Sequence, residues 1–219
     1  MKIKAVFFDM DGLVLDTEKL YTRFWQEAGI AMGYPMTKEH ALGMRSLNRE
    51  AGLAKMQSYF GASVDYDGTR KKRIELMEAF IQKEGVEKKS GVDTLLYYLK
   101  EKGIKTAITT SSPIERTISY LSMVGLEHSF DKLITGYMVK KGKPEPDIYL
   151  YAAQAFGFQP SECIVLEDSP AGITAAYRAG CLPVMIPDQD EPSKEIEDML
   201  FAKVERLDFV VELLKKETE

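Results

Sequence analysis

The chain has little of what secreted, membrane-spanning or nucleic-acid-binding proteins depend on. Only two cysteines occur in 219 residues, Cys163 and Cys181. Each lies beside an apolar, strand-like run, where a free thiol behaves as a small buried hydrophobe, and this suits a reduced cytosol better than a disulfide scaffold. No apolar run approaches the ~20 residues that span a bilayer. The N-terminus enters an apolar strand pattern without the charged, apolar and small-residue regions of a secretory leader, so a cytoplasmic protein with no membrane partner is expected. Excess positive charge is also lacking: 29 basic against 34 acidic residues give a formal net charge of −5, and no global field draws the chain to nucleic acid. The basic run Arg70-Lys71-Lys72-Arg73 precedes Ile74, Met77 and Phe80 in a helical pattern and reads as a solvated helix face.

What is present begins at once. An apolar content of 45% is ordinary for a globular chain, and 219 residues suffice for one main domain with an insertion. Ile3 to Thr17 reads I-K-A-V-F-F-D-M-D-G-L-V-L-D-T: an apolar run delivers Asp9 and Asp11 into a glycine turn. In an extended segment residues i and i+2 project to the same side, so both carboxylates face one site at the carboxyl end of a strand. Such neighbouring anions repel unless one is protonated or a cation compensates, and a divalent metal is the natural compensation.

The organisation follows from the periods. Ile3–Phe8 reads as a strand buried on both faces. From Asp16, a plausible N-cap, the period becomes helical through Leu20, Phe24 and Ala28, and the region to about Gly85 reads as helices separated by Gly29-Gly33, Gly43, Gly61 and Gly68. After Ser90-Gly91, strands and helices alternate. Val92, Leu95, Leu96 and Leu99 form a helical stripe capped at Gly103, and Lys105–Thr110 is a strand. Ser112 as N-cap with Pro113 opens a helix, Lys132–Thr135 is a weaker strand, and Pro146-Asp147 opens a helix to Gly157. Cys163–Glu167 is a strand, Ser169-Pro170 opens a helix to Gly180, and Leu182–Ile186 is a strand. This pattern predicts an α/β fold: a Rossmann-like parallel sheet core, residues 1–15 and 86–219, with an all-helical cap domain, residues 16–85, inserted after the first strand as a lid over the sheet's carboxyl edge.

Polar residues stand just after four apolar runs: Asp9 and Asp11; Thr110 and Ser111; Lys143 in G-K-P-E-P-D; and Glu167-Asp168 in L-E-D-S-P-A-G. Taken singly, an Asp-Gly is a turn, and Thr110-Ser111-Ser112-Pro113 and Asp168-Ser169-Pro170 are helix caps. As an ordered set at strand ends they supply what phosphoryl transfer needs, positioning and charge neutralisation. Asp9 would be the nucleophile and Asp11 the acid/base. Asp9, the backbone carbonyl of Asp11, and Asp168 would hold Mg2+. Thr110, the Ser111 N–H at a helix start and the Lys143 ammonium would bind phosphate.

The same four segments, D-M-D-G-L-V-L-D-T, T-S-S, G-K-P-E-P-D and L-E-D-S-P-A-G-I-T-A-A, resemble in order the four motifs of the haloacid dehalogenase superfamily of phosphatases, over nearly the whole chain. A helical insertion between the first and second motifs resembles its β-phosphoglucomutase-like branch, whose cap closes over small phosphorylated metabolites. The resemblance implies the same roles for Asp9, Asp11, Thr110, Lys143 and Asp168, and adds Glu167 as a second acid near the metal. Members that displace halide lack the second aspartate, so Asp11 favours phosphoryl transfer.

Mutases of this branch carry a histidine where Tyr21 aligns and basic residues where this chain has A-L-G-M-R-S-L, with Arg45 alone. A Mg2+-dependent phosphatase of small phosphomonoesters, sugar phosphates or nucleoside monophosphates, is therefore expected ahead of a β-phosphoglucomutase. Tyr21, Trp25, Arg45 and Lys72 are candidates for specificity, with helix packing the better role for Trp25. A non-enzymatic receiver domain shares the acidic cluster, hydroxyl and lysine, but has neither the D-x-D nor a helical insertion. The expected partner is a small phosphorylated metabolite, and the expected state a monomer or weak dimer.

Overall fold

The structure, a computed structural model, describes residues 2–45, 47, 49–188 and 191–216. After β1 (Ala5–Phe8) come four helices, α1 (Glu18–Ala31), α2 (Lys38–Leu42), α3 (Arg49–Phe60) and α4 (Tyr66–Glu84). Strands and helices then alternate: α5 (Val92–Glu101), β2 (Lys105–Thr110), α6 (Ile114–Met123), β3 (Lys132–Thr135), α7 (Asp147–Phe156), β4 (Cys163–Glu167), α8 (Pro170–Ala179), β5 (Leu182–Met185), α9 (Lys194–Glu197), β6 (Ala202–Lys203) and α10 (Val210–Lys216). Two compact units result, Met1–Leu15 with Glu87–Glu219, and Asp16–Val86.

In the first unit, among the described residues, six strands pair in parallel in the order β3-β2-β1-β4-β5-β6. All four residues of β1 are buried, which is why its apolar run does not alternate: the strand is central and covered on both faces. Beneath one face Phe7, Ile134 and Val165 pack with Tyr149 and Ala152 of α7 and with Ala175 and Ala176 of α8. The register sets Phe8 level with Ile108 and Leu166, so Asp9 leaves β1 level with Thr109 and Glu167. Because β2 and β3 build outward from one side of β1 and β4 to β6 from the other, the sheet reverses its order at β1 and β4. A crevice opens at the carboxyl ends of such strands.

The second unit consists of the four helices α1 to α4 and their connections, with no strand among its described residues. Leu20, Phe24 and Ala28 are buried along α1 as their spacing requires. Trp25 packs with Met36, Met44 and Met56 and stacks on Tyr66 with ring centroids 5.9 Å apart, which bears out packing as its role. No helix among the described residues is long and apolar enough to cross a membrane.

Several local expectations are corrected. Asp16 does not cap α1; Thr17 takes that position, and Asp16 pairs with Lys19 at 2.6 Å. Gly29 lies inside α1 rather than between helices, because Met36 packs where its side chain would be: a Cβ there would lie 2.6 Å from the Met36 Cβ. Gly68 likewise lies inside the first turn of α4, its N–H bonded to the Asp65 carboxylate at 2.8 Å. The basic run is not wholly solvated, for Arg73 is buried with its guanidinium 4.7 Å from the Tyr21 ring centre and 5.2 Å from that of Trp25. Pro113, not Ser112, is the N-cap of α6. β6, two residues long, has no apolar run to announce it.

Candidate active site

The polar residues at the strand ends meet at the carboxyl edge of the sheet. Asp9 is anchored by its own backbone, its N–H donating to the Leu166 carbonyl at 3.0 Å. The turn that follows is closed by Gly12 N–H to Leu15 O at 2.8 Å and Leu15 N–H to Met10 O at 2.9 Å. Gly12 holds φ at +88° there, a conformation that costs glycine nothing and side-chain-bearing residues a good deal. Lys143 reaches in from the loop before α7. Its Nζ donates to Asp9 Oδ1 at 2.6 Å, to Glu167 Oε1 at 2.5 Å and to the Thr109 carbonyl at 3.1 Å. That loop is held in turn by Arg178 of α8, whose guanidinium donates to the Pro144 carbonyl at 3.3 Å.

Glu167 ends β4 and is fully buried. The Tyr149 hydroxyl also donates to its Oε1, at 2.6 Å, and the Ser169 hydroxyl donates to its Oε2 at 3.1 Å. Space for the carboxylate comes from Gly172, where a Cβ would lie 1.9 Å from the Glu167 carboxyl carbon. Ser169 caps α8 as expected, accepting from the Gly172 N–H at 3.1 Å.

A second chain of contacts runs alongside. Thr110, buried at the end of β2, accepts from the Ser112 N–H at 3.0 Å, and the Ser112 hydroxyl donates to Asp11 Oδ2 at 2.9 Å. The Thr110 hydroxyl keeps its own proton to donate. Ser111, between them, is exposed.

The electrostatics follow from burial. Asp9 is pushed up to about 7, first by burial and then by Glu167 and Asp11, against the opposing pull of Lys143. Burial works against the Lys143 ammonium, but the facing carboxylates of Asp9 and Glu167 outweigh it and hold Lys143 well above its usual value. Burial, then Glu167, raises the Tyr149 phenol well above the ordinary tyrosine range. Oxygens of Asp9, Glu167 and Asp168 lie within 4.8 Å of one another. Three carboxylates facing one buried ammonium leave a surplus of negative charge, and an all-oxygen donor set of this kind fits a hard divalent cation such as Mg2+.

A cavity of about 500 Å³ lies elsewhere, lined by Tyr97, Lys100, Lys105, His128 and Asp131 at the amino-terminal edge of the sheet. Asp131 there accepts from Lys105 at 2.7 Å and from the Thr106 N–H at 2.9 Å, and parallel sheets carry their chemistry at the opposite edge.

The structure thus brings Asp9, Lys143, Glu167 and Asp168 together, with Asp11 tied to Thr110 through Ser112. Sequence pattern alone does not single out Tyr149 or the Ser112 hydroxyl, whose partners Glu167 and Asp11 are distant in sequence. Tyr149 stands among Ile148, Ala152 and Ala153 at core spacing, and its one signal was a polar tip on an otherwise apolar helix face.

Comparison with known proteins agrees with this arrangement. The family model described as haloacid dehalogenase-like hydrolase matches residues 3–180. The chain belongs to the haloacid dehalogenase-like hydrolases. A Thermotoga maritima relative of this hydrolase, named phosphorylated carbohydrates phosphatase, is 32% identical over 178 residues, covering 81% of this chain and 82% of its own. The β-phosphoglucomutase of Bacillus subtilis is 29% identical over 228 residues, 99% of this chain and 96% of its own. Among solved structures, a hydrolase of family IA, variant 3, from Entamoeba histolytica is similar with a TM-score of 0.81 at 26% identity, over 98% of this chain and 100% of the other.

Proposed function

We propose that this hydrolase is a Mg2+-dependent, cytoplasmic phosphatase that hydrolyses a small phosphomonoester through an aspartyl-phosphate on Asp9. The observation that carries the reading is the pairing of Asp9 with a fully charged lysine at 2.6 Å in a buried, carboxylate-rich site. That is a carboxyl nucleophile beside a ready phosphate counter-charge.

In the first half-reaction an Asp9 carboxylate oxygen forms a bond to phosphorus while the bond from phosphorus to the leaving oxygen breaks. Asp11 gives its proton to that leaving oxygen. In the second, Asp11 takes a proton from water, the water oxygen bonds to phosphorus, and the bond to Asp9 breaks, restoring the Asp9 carboxylate and the Asp11 carboxylic acid and releasing inorganic phosphate. Lys143 exchanges one of its protein acceptors for a phosphoryl oxygen, and Thr110 and the Ser111 N–H donate to the others. Asp9, the Asp11 carbonyl, Glu167 and Asp168 would hold the Mg2+, whose charge offsets that of the phosphoryl group.

Residues 16–85 act as the cap that distinguishes leaving groups. Tyr21, held by Arg73, and Arg45, whose Nε donates to the Leu42 carbonyl at 3.1 Å, are its contributors. The phosphatases among the relatives, including the hexitol phosphatase A of Escherichia coli at 29% identity over 94% of each chain, support a sugar or sugar-alcohol phosphate as substrate. Phosphate release from a panel of sugar phosphates and nucleoside monophosphates, with Mg2+ and with chelator, tests this. Metal-dependent release is expected. Conversion of β-glucose 1-phosphate to glucose 6-phosphate without phosphate release would instead establish a mutase, and no turnover of any phosphomonoester would overturn both.

A further inference from the structure

We infer that Tyr149 is a positioning residue for phosphoryl transfer: its phenol fixes Glu167, and through Glu167 the ammonium of Lys143. This role rests on the phosphatase reading above and belongs to a residue outside its motifs.

A lysine is a point charge on a flexible stem and needs outside guides to be aimed. Lys143 has three. Its N–H groups go to Asp9 Oδ1, Glu167 Oε1 and the Thr109 carbonyl, which uses every donor an ammonium has. Thr109 is main chain inside β2, fixed by the sheet. Asp9 is the group that reacts, so its charge and position change during turnover. Glu167 is left as the side-chain guide that takes no covalent part, and its own orientation must come from elsewhere.

Tyr149 supplies it. Its side chain is fully buried on α7, and Phe would serve if packing were all that the position required. The hydroxyl instead donates to Glu167 Oε1 at 2.6 Å, the same oxygen that takes Lys143 at 2.5 Å. Ser169 holds the other oxygen, its hydroxyl at 3.1 Å and its N–H at 3.4 Å. The carboxylate is thus gripped at both oxygens and cannot turn without breaking bonds in a buried site. The Tyr149 ring also lies 5.3 Å from Lys143 Nζ, so the same residue walls the ammonium with its face and guides its acceptor with its tip. Because the Lys143 loop runs directly into α7, one helix start carries both the lysine and its guide.

The test is Tyr149→Phe, which keeps ring and volume and removes only the hydroxyl. A hydrogen bond to a buried charged group is worth enough to lower kcat by ~10–30-fold when lost. KM should change by less than about threefold, and Mg2+ affinity by calorimetry by less than about threefold, since the metal's other carboxylates are untouched. A merely structural role would lower the unfolding midpoint and leave kcat per folded molecule alone. In a Glu167→Gln background the same change should cost little more than Glu167→Gln itself, because the carboxylate being guided is gone. A second readout needs no substrate. In protein carrying 13C-lysine, the Lys143 side-chain resonance should move in Tyr149→Phe while the other lysine resonances stay. Unchanged kcat with an unmoved Lys143 resonance would overturn the inference. A wild-type chain that releases no phosphate would overturn the phosphatase reading, and the resonance would still decide whether Tyr149 guides Lys143.

Discussion

The Ser112 hydroxyl donates to Asp11 Oδ2 at 2.9 Å, tying the turn after β1 to the segment after β2. In the mechanism proposed above, the bond would steady a carboxyl group that faces the leaving oxygen in one step and a water in the next. Its position also explains why Ser112 does not cap α6, since the hydroxyl is turned toward Asp11.

Ser112→Ala should therefore lower kcat by ~10-fold, the scale expected for losing a hydrogen bond to a charged group. The loss should be larger with an alkyl phosphate, whose leaving oxygen needs a proton, than with p-nitrophenyl phosphate, whose leaving group does not. Comparing kcat on the two substrates checks this; equal losses would detach Ser112 from leaving-group protonation.

Asp9→Asn separates chemistry from stability. The amide is neither a nucleophile nor a good Mg2+ ligand, so turnover should vanish. Stability should move the other way in chelator. Asp9 titrates at about 7 in the folded chain against an ordinary 3.8, so between these values the folded state holds a proton that the unfolded state has lost. The Asp9 contribution to stability is thus present at low pH and lost as pH rises through about 7. Lys143 remains charged across that range. The urea midpoint of Asp9→Asn should exceed that of the wild type more at pH 8 than at pH 5. An equal difference at both would mean that Asp9 carries no such shift.

Metal binding should show the same proton. The proposed Mg2+ site needs Asp9 as a carboxylate, so its affinity should weaken as pH falls below about 7, with proton release on binding. Calorimetry in buffers of different ionisation enthalpy reads the proton directly. Asp168→Ala should weaken binding more than Asp11→Ala, which keeps the backbone carbonyl assigned to the metal. The reverse order would remove Asp168 from the ligand set.

Much of this fold could be read from the sequence because its central strands are buried on both faces. Ala5–Phe8 and Cys163–Glu167 are short apolar runs that end abruptly in acid, and such runs have few other places to go in an α/β chain. Helix ends at Gly157 and Gly180 were equally legible, since both glycines take the left-handed conformation that ends a helix. What stayed hidden depends on contacts distant in sequence. Gly29 reads as a helix breaker until Met36 is seen packed against it. Arg73 reads as solvated until Tyr21 and Trp25 cover it. Tyr149 has the same periodicity as its apolar neighbours, and only the position of Glu167 reveals its hydroxyl as a partner.

Gly172 gives the sharpest test of how tightly that carboxylate is held. A Cβ at Gly172 would stand 1.9 Å from the carboxyl carbon of Glu167 and 2.2 Å from its Oε2, far inside contact distance. Neither side can give way easily, because Gly172 lies in the first turn of α8 and Glu167 is bonded through both oxygens to Lys143, Tyr149 and Ser169. Gly172→Ala should cost ~1–3 kcal/mol of stability, the usual range for overpacking a buried site, even though alanine is the better helix former. Any molecules that fold must move Glu167 aside, so Lys143 loses an acceptor and kcat should fall by ~10-fold or more. Gly103→Ala is the control. Its φ of +66° makes it strained as well, but no atom lies within 4 Å of the added Cβ, so it should lose stability while keeping its kcat. Unfolding midpoints and kcat for the two variants, measured side by side, decide the matter: a Gly172→Ala protein with normal turnover would mean that Glu167 is not held where catalysis needs it.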